Sequence, residues 1–154
     1  MSTSAFTRMA AILLLAAGAL HAQEPPSQLA KRVEIDKTLQ VLRAYEEDRL
    51  FFQSRVSTGR GDRTPNGSFY AQGKQRMHYS KRYDNAPMPY SVQVSGHYFI
   101  HGFSYVPNRP ASHGCIRLPL AGGNPAKVFY DWVELGTPVE ITGRWRGADP
   151  RRKK

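Results

Sequence analysis

What most constrains this chain is a two-residue alternation of apolar side chains, broken by short polar turns, across most of its length. Val33, Ile35, Leu39, Val41 and Leu42 alternate roughly with charged residues. The turn Glu46-Glu47-Asp48-Arg49 follows, and then the apolar run at 50–56. Successive side chains of a strand point to opposite faces, so this spacing predicts strands at 32–36, 39–45 and 50–56, paired as hairpins. Residues 57–67 hold three glycines, a proline and small polar residues and read as a loop. Further strands are expected at 68–71, 89–94, 97–101 and 138–142. Residues 77–85 show no clear period and read as a long surface loop, and 103–111, with Pro107 and Pro110, as an irregular one. One helix is expected, at 125–135. Asn124 is a candidate N-cap and Pro125 suits the first helical position. Val128, Phe129, Trp132 and Val133 fall on one face, and Gly136 supplies the stop. The fold class is therefore mostly β with one helix in the C-terminal half.

The two ends read differently. Arg8 followed by an apolar run at 9–20 and the small residue Ala22 has the three-part form of a secretory signal peptide. The run is too short to span a bilayer, which takes about 20 apolar residues. No cysteine stands near the cleavage point, so lipid anchoring is not expected. The expected organisation is a signal peptide at 1–22, a flexible leader at 23–31, one domain at 32–143 and a basic tail at 144–154, exported to the periplasm or cell wall and carrying no later membrane segment. The net charge of +10 across 154 residues implies an anionic neighbourhood. The basic residues are scattered and no nucleic-acid motif is present. An exported protein would find its anions in wall polymers or lipid head groups, or the charge is a solvated surface.

The single cysteine, Cys115, then stands out. Exported domains usually carry cysteines in pairs, and a lone thiol in oxidising space is exposed to oxidation. It lies in Ser112-His113-Gly114-Cys115-Ile116-Arg117, with His101-Gly102 upstream. A thiol attacks as thiolate, and a neighbouring histidine can take its proton. His101, anchored at the end of an expected strand, is preferred to His113 as that base. Between Tyr90 and Leu120 there is no carboxylate to orient it, so a backbone carbonyl would serve. Gly114 suits a tight turn, and the N–H groups around Gly114 and Cys115 could stabilise an oxyanion. Two other readings remain at this point. Cys115 could be a small buried hydrophobe, or Cys115, His101 and His113 could hold zinc, although no second cysteine or nearby acid completes such a site. No metal or cofactor is expected.

Ser112-His113-Gly114-Cys115-Ile116-Arg117 resembles the Ser/Thr-His-Gly-Cys-x-Arg/Asn signature of the L,D-transpeptidase catalytic domain (YkuD) family, and His101-Gly102 resembles its upstream His-Gly. Val56-Ser57-Thr58-Gly59, Thr64-Pro65-Asn66-Gly67-Ser68-Phe69, and Trp132-Val133 with Gly136-Thr137-Pro138-Val139 are similar to further segments of it. The resemblance implies a β-rich sandwich with a cleft bearing the cysteine, which acylates on peptidoglycan stem peptides. By the same resemblance Cys115 is the nucleophile, His101 the base and the Gly102 carbonyl its acceptor. His113, Gly114 and Cys115 form the oxyanion side, while Ser112 and Arg117 hold the loop and substrate. Tyr90 and Tyr98 are expected to line the cleft. The family's donor is a tetrapeptide stem attacked at its third residue with loss of D-alanine, and carbapenems typically acylate the same cysteine. The acceptor is an amine for a cross-link, water for a carboxypeptidase, or a lipoprotein linkage. A non-catalytic envelope-binding domain is the alternative of another class. The short interval from His101 to Cys115 departs from the family pattern and leaves the acceptor open.

Overall fold

In the computed structural model, residues 30–147 are described. The expected signal peptide, nearly all of the leader and Arg151 to Lys154 lie outside them. Two sheets face each other across one core. The first has the order β3-β2-β1-β9-β4, built from β1 (Lys31–Asp36), β2 (Val41–Glu46), β3 (Arg49–Arg55), β4 (Gly67–Tyr70) and β9 (Pro138–Thr142). The second has the order β5-β6-β7-β8, from β5 (Gly73–Ser80), β6 (Ala86–Ser95), β7 (Tyr98–Phe103) and β8 (Ile116–Pro119). Most neighbours are antiparallel, but β9 runs parallel to β1 and β8 parallel to β7. Helix α1 (Pro125–Trp132) packs on the second sheet.

The alternation builds the core as expected. Val33, Ile35, Leu42, Ala44, Val139 and Ile141 from the first sheet meet Val92, Val94, Ile100, Ile116 and Leu118 from the second, all essentially without solvent contact. Phe129 and Trp132 close one side. At roughly 1.5–3 kcal/mol per buried aliphatic side chain, this cluster is the main favourable term of the fold.

Several expectations need correction. Lys31 belongs to β1 rather than to a leader, and its ammonium donates to the Trp132 carbonyl at 3.0 Å. Residues 77–80 are not loop but the second half of β5, an edge strand paired to β6 through Met77↔Pro89 and Tyr79↔Pro87. Its apolar side chains are exposed, so there was no buried face to impose a period. The brief strand β8 was also not expected. Its run Ile116-Arg117-Leu118-Pro119 is too short to announce itself, and parallel pairing to β7 makes it. Helix α1 stops at Trp132, because Val133 is already extended (φ −69°, ψ 141°). Its start is as read. Asn124 accepts from the Lys127 amide at 3.1 Å and Pro125 opens the helix. Its buried face is Ala126, Phe129 and Trp132, whereas Val128 is exposed.

Candidate active site

The register of β7 and β8 sets the site. Ile100 pairs with Ile116 and His101 with Arg117. Paired residues point to the same side and neighbours to opposite sides. Ile100 and Ile116 point into the core. Phe99, His101 and Arg117 therefore share the other face of the sheet, and Cys115 is the residue just before β8. Cys115 is half-buried and its thiol lies 3.6 Å from the His97 carbonyl, a weak sulfur hydrogen bond.

His101 is 5% exposed. Its Nδ1 lies 3.0 Å from the Gly102 carbonyl. A carbonyl only accepts, so Nδ1 carries the proton and Nε2 keeps a lone pair. Burial pushes the imidazole down to about 4, against a smaller upward pull from the Gly102 carbonyl. Burial likewise raises the Cys115 thiol, opposed by backbone hydrogen bonding at Phe99 and by the charge of Arg117. Burial thus favours the neutral form of both groups. Gly102 is needed for a second reason. A Cβ there would meet Leu120 Cδ2 at 2.5 Å and Ala126 Cβ at 3.1 Å, so the side chains of Leu120 and of α1 press on it.

The loop carrying the cysteine is held by a buried polar frame. The Ser57 and Arg117 backbones exchange hydrogen bonds at 3.1 and 3.0 Å, and the Ser112 amide donates to the Thr58 carbonyl. Gly59 donates to Thr64 Oγ1 at 2.8 Å, and that hydroxyl donates to the Gly114 carbonyl at 2.6 Å. Lys37, 2% exposed, donates to the Thr64 carbonyl at 2.7 Å and pairs with Asp62 at 2.6 Å. Gln40, also buried, clasps Thr58 through both its amide nitrogen and its oxygen. Gly114 has φ +148°, and a Cβ there would lie 3.0 Å from the Tyr98 ring.

The expected site residues fall into three groups. Cys115, Gly114, His113 and Tyr98 line one cleft of about 620 Å³, together with His78, Tyr83, Met88, His97 and Phe99. His101 and Arg117 do not line it. Arg117 is half-buried with its guanidinium 3.9 Å from the Phe103 ring centroid. Tyr90 and the substrate-binding part of the Ser112 expectation need correction. Ser112 is buried, accepting from the Gly114 amide at 3.0 Å and donating to the Cys115 carbonyl, so it shapes the turn and has no face toward the cleft. That bond also occupies the Gly114 N–H. Tyr90, at φ +55°, turns toward α1, with its ring 5.9 Å from Tyr130 and away from the cleft. His113 is exposed, stacked on Tyr83 at 4.6 Å with Nε2 3.3 Å from Arg60. No three metal-ligating side chains gather among the described residues.

Sequence reasoning missed Lys37 and Gln40 in the frame, and His78, Tyr83, Met88, His97 and Phe99 in the cleft. Lys37 carried no usable signal, since a lysine in a hairpin turn is ordinarily solvated. The aromatic content of 77–85 was a signal, read as loop surface.

No curated protein sequence matches the chain. Solved structures do. An L,D-transpeptidase from Stackebrandtia nassauensis superposes with a TM-score of 0.69 at 24% identity, covering 85% of this chain and 64% of that one. One from Xylanimonas cellulosilytica gives 0.63 at 30% identity over 77% and 63%. An L,D-transpeptidase in complex with imipenem gives 0.66 at 23% over 74% and 59%. The chain thus spans about three fifths of the length of these structures. With the two-sheet fold in common and residues 30–141 matching the family's own profile, the chain belongs to the YkuD family, the L,D-transpeptidase catalytic domain.

Proposed function

We propose that this protein is an exported peptidoglycan L,D-transpeptidase with Cys115 as nucleophile and His101 as general base. The observation that carries this reading is the parallel register of β7 and β8. It brings the start of β8, which Cys115 immediately precedes, alongside the strand that holds His101, whose Nδ1 proton is committed to the Gly102 carbonyl. His101 Nε2 takes the thiol proton as sulfur adds to the third-residue carbonyl of a tetrapeptide stem. The tetrahedral oxyanion is met by main-chain N–H groups. Because Ser112 already holds the Gly114 amide, those of His113 and Cys115 are the candidates. Collapse expels the D-alanine amine, which takes the proton back from His101 and leaves a thioester. An amine of a second stem then accepts the acyl group. Export rests on the apolar run at 9–20, which a processed N-terminus at Gln23 in the secreted protein would establish.

Incubation with purified tetrapeptide muropeptides, followed by mass spectrometry, tests the activity. Cross-linked dimers are expected, tripeptides alone would mean that water is the acceptor, and Cys115→Ala should abolish both. Turnover by that variant sinks the mechanism. Imipenem should add one drug mass to the wild type and none to the variant.

A further inference from the structure

We infer that His78 is the base that deprotonates the amine acceptor in the second half of the reaction, a role separate from that of His101. The inference rests on the function proposed above and concerns its least determined step.

The proton count leaves one proton to be taken from the acceptor, which a second base can remove within the cleft. An alkyl ammonium, with a pKa of about 10.4 for a lysine-like amine, arrives with three protons on nitrogen, and the amide product retains one. One of the two protons released restores the Cys115 thiol. The other has no place in the Cys115–His101 pair, which returns to neutral thiol and neutral imidazole. It must leave through a group that meets both the acceptor and solvent. His101, 5% exposed, is cut off from the solvent that finally takes that proton.

His78 meets these demands. It lies on β5, lines the same cleft as Cys115 and is half-buried, so it can pass a proton to water. Its ring stacks on Phe99 with centroids 4.7 Å apart and planes inclined by 20°. Phe99 in turn lies beside Cys115, since the next residues, Ile100 and Ile116, are paired. One aromatic ring thus separates the imidazole from the residue that would carry the acyl group. The tautomer is fixed as well. His78 Nδ1 lies 2.6 Å from Gln75 Oε1, an acceptor, so Nδ1 carries the proton and Nε2 presents a lone pair. The arrangement repeats that of His101 and the Gly102 carbonyl, but at the open side of the cleft. In the step proposed, Nε2 takes one proton from the ammonium and the freed amine adds to the thioester carbonyl. The C–S bond breaks, sulfur recovers a proton from the attacking nitrogen by way of His101, and His78 returns its proton to water.

His78→Phe keeps a ring to stack on Phe99 and removes the lone pair, and Gln75→Leu leaves the imidazole but frees its tautomer. The two half-reactions are measured separately, with D-alanine release reporting acylation. Transfer is then followed to two acceptors at pH 7.5, an alkyl amine of the diamino-acid type and hydroxylamine, which is already neutral there. In His78→Phe, transfer to the alkyl amine should fall by at least about tenfold more than acylation, within the range of general-base contributions, while transfer to hydroxylamine keeps pace with acylation. Gln75→Leu should show the same pattern to a smaller degree. Equal losses for both acceptors, or no loss, overturn the assignment. Wild-type protein that releases no D-alanine instead removes the transpeptidase reading itself.

Discussion

The two walls of the cleft are built by different physics. On one side the cysteine loop is clasped by Thr58, Gly59, Thr64, Gln40 and Lys37, in a chain of buried hydrogen bonds at 2.6–3.2 Å. On the other, β5 and the turn after it contribute His78 and Tyr83, which reach their partners mainly through ring stacking. A buried polar network is costly to break, because each orphaned group keeps its desolvation penalty. A stacked pair near the surface yields for roughly a kcal/mol. Cys115 thus sits in a stiff setting, and the facing wall of the cleft does not.

The contrast is most sharply broken at Gly59. A Cβ there would lie 2.8 Å from Gly114 Cα and 2.9 Å from the Thr64 nitrogen, both backbone. Gly59→Ala should therefore cost at least about 3 kcal/mol, the severe end of overpacking, and slow imipenem acylation by more than about tenfold, read by denaturant unfolding and adduct mass. Next is Lys37→Met, which leaves the Thr64 carbonyl and Asp62 without their ammonium. About 3 kcal/mol is expected, with a smaller effect on acylation, and loss of less than about 1 kcal/mol would show the frame to be looser than described.

Acidification tests the same wall through His101. Folded, its imidazole is held at about 4, while in the unfolded chain it titrates near 6.5. As pH falls from about 6.5 to about 4, the unfolded state binds the proton and the folded state does not. Stability is full above that window and falls across it by up to about 3 kcal/mol. Denaturant midpoints at several pH values should show the slope, and His101→Asn should flatten it. The smallest effect belongs to the stacked wall. Tyr83→Ala should change stability by about 1 kcal/mol or less and raise KM for muropeptides while leaving imipenem acylation close to wild type.

The same contrast marks what could be read from sequence. Strands that bury one face, such as β1 with Val33 and Ile35, were plain, because burial imposes the period that betrays them. The β5 edge was not, since main-chain pairing to β6 makes it a strand with no apolar face to show. Cys115 and His101 stood out by residue type and position alone, one thiol and a histidine at a strand end. The burial of Ser112 away from the cleft and the outward swing of Tyr90 were not legible, for each depends on a local backbone state, the bridged Ser112 hydroxyl and φ +55° at Tyr90. Lys37 could not have been read at all. What makes it structural is the Thr64 carbonyl 27 positions away.

One topological detail bears on how the molecule comes into being. Strand β9, the last among the described residues, is inserted between β1, the first of them, and β4. Until residues 138–142 are present, β4 has no partner in its sheet and β1 is an open edge. The protein cannot mature progressively from its leading end, and assembly waits for the final strand. Pairings that join chain extremes are entropically slow to find, so refolding should be governed by arrival of β9.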